Sequence, residues 1–308
     1  MPALAIVGAG RVGRGLGARI REAGWTIGTV VTRGLPSARA AVRAIGGGTP
    51  VAGLTRRVLL SDVILLSVPD HSLADVARDL ASVGGAELRG KIVLHTSGAL
   101  PADVLEPLAA CGARTGSLHP MQAFGRHSRP RLDGVLFGLD GHATALRMAR
   151  RIANSLGGTV VRIAPGKKAE YHCAGTFAAS NVLASVEAGI QLLLAAGFKR
   201  REATRALLRL VRQTLENHEL LGPRGAWTGP LSRGDLSTVE LHWEVLGRYP
   251  VEYRQAYAGL ARLATVLLAD SPGPLLAKLD RVLVPSSGKA CRREGRVESR
   301  ATASRSGK

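Results

Sequence analysis

Eight residues near the start of the chain, Ile6-Val7-Gly8-Ala9-Gly10-Arg11-Val12-Gly13, decide how the rest of it reads. They spell G-x-G-x-x-G between a short apolar run (residues 3–7) and an amphipathic stretch (residues 11–23). In that setting each glycine has a physical task. Gly8 permits a tight turn, Gly10 lets backbone approach a pyrophosphate, and Gly13 lets a helix pack closely on the strand. The helix start, with Arg11 and Val12 in its first turn, offers unpaired N–H groups and a positive dipole end to phosphates. The motif alone is weak, because many turns need glycine. Its strand–turn–helix context predicts a dinucleotide site.

Working outward, strand-like runs recur at residues 26–32, 62–68, 91–95 and 114–118, with helical stretches at 37–45, 72–82 and 101–110. The run DVILLSV at 62–68 is continuously apolar, as expected of a strand buried on both faces. Strands alternating with helices imply a parallel sheet. The pattern continues more weakly with strands at 134–139 and 159–163 around a helix at 143–156. Beyond Pro165 only helices are expected, at 168–196, 201–221, 236–246, 251–268 and 274–282, with a Gly/Pro-rich loop at 222–234. The predicted class is α/β: an N-terminal doubly wound Rossmann-like parallel sheet followed by an all-helical domain. The domains are read as 1–164 for cofactor, 165–284 for substrate and dimerisation, and 285–308 as a disordered basic tail.

Composition excludes several classes. The net charge of +19 invites a nucleic-acid reading, but 35 of the 42 basic residues are Arg, spread along the chain, and aromatics are only 4%. Stacking platforms are therefore few, and GC-rich codon usage accounts for the charge. Nucleic acid is not an expected partner, while anionic small molecules are. Cys111, Cys173 and Cys291 are odd in number and far apart, so neither a disulfide framework nor a metal site is expected. No apolar run reaches the ~18 residues of a membrane span, and the start does not read as a secretory signal. The expectation is a cytoplasmic protein without a membrane partner.

Cofactor choice is read at the end of the second strand. An NAD site places Asp or Glu there; this chain has Val31-Thr32-Arg33-Gly34, with Ser37 following. Arg33 suits a 2′-phosphate, with Thr32 and Ser37 as hydrogen-bonding partners, so NADP(H) is predicted. Ser67-Val68-Pro69 and Ser97 follow later strands on the same carboxyl edge and are read as ribose and nicotinamide contacts, although ordinary turn chemistry accounts for them equally well.

Candidate chemistry lies further along. His119 follows the strand at 114–118 and suits proton delivery to a developing alkoxide; the alternative is a loop histidine held by backbone. Lys168 and His172 are i and i+4 on one helix face. Asn181 is nine residues past His172, half a turn out of phase on a straight helix. The three share a pocket only if the helix bends, with Gly175 the expected place. Tyr171 is read as nearer the Asn181 face. In the loop Trp227–Asp235, Arg233 suits a substrate carboxylate or a pair with Asp235, Asp235 is a substrate contact or an N-cap, and His242, which shares a helix face with Thr238, is read as a further substrate contact.

GAGRVG (residues 8–13), SLHPMQAF (117–124), the YH…SN helix (171–181) and TGPLSRGD…H (228–242) together resemble a bacterial family. Its members join an NADP-binding Rossmann-like domain to a helical domain of unknown function 2520, of the 6-phosphogluconate dehydrogenase C-terminal-like superfamily. The resemblance spans about residues 3 to 283. More loosely, the chain is similar to pyrroline-5-carboxylate reductases, ketopantoate reductases and prephenate dehydrogenases. It implies an NADP-dependent oxidoreductase, a homodimer, and a small carboxylate-bearing substrate such as a ketopantoate-like oxo acid. The superfamily's β-hydroxyacid dehydrogenases carry Lys four residues before the helix Asn. Here that position is Phe177, so the lysine does not transfer, and His119, His172 or Lys168 is left to handle the proton, with Asn181 positioning substrate. A non-catalytic NADP-binding regulator is the second reading.

Overall fold

The structure, a computed structural model, describes residues 2–126 and 129–283. Its sheet has eight strands: β1 (Ala3–Val7), β2 (Thr26–Thr32), β3 (Thr49–Ala52), β4 (Val63–Leu66), β5 (Ile92–His95), β6 (Arg114–Pro120), β7 (Leu136–Gly141) and β8 (Thr159–Arg162). Their spatial order is β3-β2-β1-β4-β5-β6-β7-β8. All neighbouring pairs are parallel except β6 and β7, which are antiparallel. The expected sheet is present with two additions: the edge strand β3, which the sequence reading passed over, and the reversal at β7.

Alternate residues of each strand face opposite layers. Leu4, Ile6, Val63 and Leu65 point to a core completed by α1 (Arg11–Glu22), α2 (Leu35–Ile45) and α5 (Ala143–Ser155). Ala5, Val7, Ile64 and Leu66 point to the other face, under α3 (Asp70–Gly84) and α4 (Glu106–Ala110). This is why β4 carries no polar residue: water reaches neither of its sides. The helix expected at 101–110 divides into a 3-10 turn (Ala102–Leu105) and α4, with Pro107 in the first turn of α4.

The chain divides into two compact units at Ala184/Ser185. This is later than the border expected near Ala164, because α6 (Lys168–Thr176) is bonded to the sheet through Lys168 and Tyr171. A π-helical turn, Phe177–Asn181, joins α6 to α7 (Val182–Ala195). The continuous run Lys168–Ala195 holds an 18-residue window of mean hydropathy 1.4, long and apolar enough to cross a membrane by length and composition. This corrects the expectation that no such run exists: Leu, Val, Ile and Ala keep the average high although Ser, Asn, Glu and Gln interrupt the stretch.

The second unit holds α8 (Arg200–Ala226), α9 (Leu236–Leu246), α10 (Val251–Leu268) and α11 (Pro272–Leu283). Helix continues past Leu221, where a loop was expected. Gly222 takes φ 72°, breaking the helix, and Pro223 sits at the start of the new turn. Val239, Ala258, Leu279 and Leu283 form this unit's core. Many apolar side chains of α8 and α10, including Leu210, Leu220 and Leu267, are exposed. The expected tail, 285–308, lies outside the described residues.

Candidate functional site

The glycine motif forms the wall of a cavity of about 830 Å³ at the carboxyl ends of β1, β2 and β4. Gly8 has φ 85°, and a Cβ there would stand 2.5 Å from the Ser67 carbonyl oxygen. A Cβ on Gly13 would stand 2.4 Å from the Gly8 oxygen. Both glycines are therefore forced by packing. Gly10 differs: a Cβ would meet nothing within 4 Å, so its missing side chain leaves open space for a ligand. Gly10 also caps α1, with no side-chain cap and no acidic residue in the first turn. The amide N–H groups and positive dipole end there suit a phosphate.

Thr32, Arg33, Ser67, Val68 and Pro69 line the cavity as the sequence predicts, together with Ser37. The Thr32 hydroxyl donates to the Gly34 carbonyl at 2.8 Å, leaving its lone pairs for a ligand. Arg11, Val12, Gly13 and Ser97 are not among the lining residues; Gly13 serves the strand–helix contact instead. Three features escaped sequence reading. Arg14 lines the cavity, its Nε donating to the Ala9 carbonyl at 2.7 Å; its position four residues after Gly10 was the available signal. Gly53 and Leu54 follow the missed strand β3. Ser72, Val76, Asp79 and Val83 come from one face of α3.

A second group of polar side chains lies at the carboxyl ends of β5 and β6. The two places adjoin, since the Thr96 hydroxyl donates to that of Ser67 at 3.3 Å. His119, near the end of β6, has Nδ1 3.1 Å from the Tyr171 hydroxyl, and its ring stands 5.9 Å from that of His172, edge on. Gly98 separates the two histidines: a Cβ there would lie 2.5 Å from His172 Cδ2 and 2.7 Å from His119 Nε2. Burial first, then the Lys168 ammonium and His172, pulls His119 down to about 4, so its ring is neutral at pH 7.

Lys168 is 3% exposed, and its Nζ donates to the Ser97 carbonyl at 2.8 Å and the Ser117 hydroxyl at 2.9 Å. Burial brings it down to about 8, against the opposing pull of Asp140 and Asp70. Its ammonium braces the carboxyl ends of β5 and β6 rather than facing solvent. His95, fully buried, accepts the Ser97 N–H at Nδ1; burial and then the Lys168 charge take it to about 3.

Tyr171 corrects a second expectation. It lies beside His119 rather than on the Asn181 face, because positions i+3 and i+4 from Lys168 flank the same helix side. Asn181 closes the π turn. A π turn holds one residue more than an α turn, so it rotates the downstream residues by about 100°. Asn181 thereby moves from about 180° to about 80° from His172. The required break exists, just past Gly175.

In the second unit, Asp235 caps α9: Oδ1 accepts from the Thr238 N–H at 3.1 Å and the Ser237 hydroxyl at 2.8 Å, and Oδ2 from the Thr238 hydroxyl at 2.7 Å. Those donors, Thr238 first, hold its carboxyl below the usual range. The cap accounts for Asp235, and its place as a substrate contact is withdrawn. Arg233 ends a 3-10 turn with its side chain exposed. His242 Nδ1 pairs with the Tyr257 hydroxyl of α10 at 3.0 Å. Among the described residues, no group of three or more His, Cys, Asp or Glu is placed to hold a metal.

Fold and cavity together define a nucleotide-binding α/β unit followed by a helical one. Residues 2–120 match the family described as a Rossmann-like domain, and residues 135–264 match the domain of unknown function DUF2520. The chain carries both domains in that order. No curated protein matches it. Among solved structures, a Bacteroides fragilis protein assigned as an NADP oxidoreductase superposes with TM-score 0.72 at 20% identity, over 85% of this chain and 97% of its own. The Thermotoga maritima protein TM1727 gives TM-score 0.63 at 23% identity, covering 84% and 97%. An Aspergillus terreus reductive aminase, solved with NADPH and ethyl-5-oxohexanoate, gives 0.60 at 16%, covering 92% and 94%. These likenesses establish a shared fold.

Proposed function

We propose that the chain is an NADP(H)-dependent oxidoreductase that passes a hydride to or from a C=O or C=N carbon of a small, carboxylate-bearing substrate. The observation that carries the cofactor reading is Arg33 beside Thr32 and Ser37 in the cavity at the end of β2, where the strand end offers no carboxylate. The residues present fit a dinucleotide: Gly8 and Gly13 allow no side chain, Gly10 faces open space, and about 830 Å³ is within the range of cofactor pockets. The nicotinamide supplies the hydride chemistry when bound. The oxidoreductase and NADPH-bound names among the structural neighbours support the same reading.

The chain's own part is to bind, orient and handle a proton. His119 and His172, at the carboxyl ends of the strands beside the cavity, are the groups proposed to manage the proton at the substrate oxygen or nitrogen. Asn181 is proposed to orient the substrate, and Arg233 to recognise its carboxylate. The chain is further proposed to act as a homodimer, in keeping with the exposed leucines of α8 and α10.

The test is NADPH oxidation against a panel of 2-oxo acids, ketopantoate included, and cyclic imines. Turnover that is lost when His119→Ala and His172→Ala are combined supports the reading. Stoichiometric NADPH binding without turnover on any member would leave a non-catalytic NADP-binding regulator. Tighter binding of NADH than NADPH would overturn the cofactor assignment.

A further inference from the structure

We infer that Tyr171 is a positioning residue that fixes the tautomer of His119, holding the proton on Nδ1 and leaving Nε2 as a bare acceptor. The inference rests on the proposed function only for its kinetic consequence, since the tautomer is a property of the resting protein.

The Tyr171 hydroxyl makes two contacts with one residue. Its oxygen lies 3.1 Å from His119 Nδ1 and 3.2 Å from the His119 backbone oxygen. The carbonyl oxygen only accepts, and a phenol has a single proton to give. Both contacts are satisfied in one arrangement alone: the phenol donates to the carbonyl, and Nδ1–H donates to the phenol oxygen. In the other arrangement the phenol donates to Nδ1. Two oxygens then face each other at 3.2 Å, with only the Gly138 backbone N–H of the neighbouring strand to share between them, in a half-buried setting where such repulsion is costly.

Two conditions must hold, and both do. The ring must be neutral, and burial beside Lys168 keeps it so. The phenol must keep its proton, and burial raises its pKa, the Gly138 backbone acting in the opposite sense. Gly138, paired with His119 across β6 and β7, makes room for the arrangement. A Cβ on Gly138 would lie 2.6 Å from Tyr171 Cζ and 2.8 Å from its hydroxyl oxygen. The rings of His119 and Tyr171 meet edge on at 85°, their centroids 5.4 Å apart.

The consequence is chemical. Nε2 is the His119 atom turned toward Gly98 and His172. As a bare nitrogen it takes a hydrogen bond or a proton and does not give one, so of the two proposed proton-handling groups His119 is the acceptor in the oxidising direction and His172 is left to give the proton in the reducing one. Neutral imidazole free in water favours the proton on Nε2, so the observed contacts impose the less common form.

Long-range proton–nitrogen NMR of the full chain labelled at histidine nitrogens reads the tautomer directly, with or without turnover. His119 is expected as the Nδ1–H form. Tyr171→Phe keeps the ring and removes the hydroxyl, and should lower the ratio of Nδ1–H to Nε2–H at least fivefold. Gly138→Ala, whose Cβ displaces the phenol while both partners keep their identity, should do the same. A wild-type spectrum showing the proton on Nε2, or an unchanged ratio in a folded Tyr171→Phe protein, would overturn the inference. Once a substrate pair is found, Tyr171→Phe should lower kcat for its oxidation with little change in the KM for NADP. Failure to find any substrate would count against the proposed function and leave the spectroscopic result standing.

Discussion

Replacing Lys168 by Met removes a buried ammonium whose cost to the fold depends on pH. Met has similar length and no charge, so the packing is kept. Two hydrogen bonds go, to the Ser97 carbonyl and to the Ser117 hydroxyl, and Ser117 is fully buried. Leaving such groups unpaired costs about 1–3 kcal/mol each, while removing a desolvated charge without a salt-bridge partner gives some of that back. At pH 7 the net change is a difference of comparable terms. The pH dependence isolates the ammonium. Its folded pKa is about 8, against 10.5 unfolded, so between those values the unfolded chain binds more protons and stability rises with pH. From pH 7 to pH 10 the wild type should gain about 2.5 kcal/mol relative to Lys168→Met. The assay is urea unfolding of both proteins at the two pH values, read by hydrogen exchange in peptides covering β5 and β6, so that the first unit reports alone. A wild-type-minus-variant difference that stays constant within about 0.5 kcal/mol, or falls with pH, would show that Lys168 is not a desolvated cation.

Arg33→Ala should weaken NADPH about 10- to 100-fold, the worth of charge-assisted hydrogen bonds of about 1.5–3 kcal/mol, while leaving NADH within twofold; calorimetric titration with both nucleotides checks it. Gly8→Ala and Gly10→Ala should separate fold from binding: the first, at φ 85° against the Ser67 oxygen, should lower both melting temperature and NADPH affinity, and the second should lower affinity alone. Deleting Ala179 from the π turn should leave α7 facing as before and the melting temperature nearly unchanged. Deleting Ala188 inside α7 should swing buried Ile190 by about 100° and move Gly189 off Leu207, lowering it sharply; equal melting temperatures would refute the phase argument.

Much of the sheet was legible because burial on both faces leaves a crude signal: residues 62–68 have no polar side to show. β3 was not, because Thr49-Pro50-Val51 carries a proline that argues against a strand. Its place at the sheet edge is where that argument lapses, and edge position is a tertiary fact. The reversal at β7 left a trace that went unused. No helix is predicted between residues 118 and 134, and a parallel neighbour needs a crossover, usually helical. Strand ends marked the cavity well, since Thr32, Arg33 and Ser67 are local features of their strands. Arg14 was missed although its helical phase from Gly10 was available. Asp235 shows the opposite error, a carboxylate in a suggestive motif whose oxygens are satisfied within three residues of sequence.

The proton-handling cluster was least legible because side-chain direction, more than residue type, decides it. Lys168, His172 and Asn181 were singled out by type, and a straight helix then placed them on opposing faces. The sequence demanded a break in that helix but had no means of specifying its kind. Glycine marks a bend, yet a π turn needs no glycine, only an added residue that the chain absorbs without unwinding, and Phe177–Asn181 carries none. The same limit explains Tyr171. One residue's rotation decides whether its hydroxyl reaches His119, 52 positions earlier in the chain, and no local pattern records that distance. What the sequence did record is the space that makes the contact possible. Gly138 sits opposite His119 on the neighbouring strand, and Gly98 lies between the two histidines. Both glycines have backbone any residue could adopt, so their identity is set by the rings packed against them. Glycines without a positive φ are in this protein the better guide to where side chains converge.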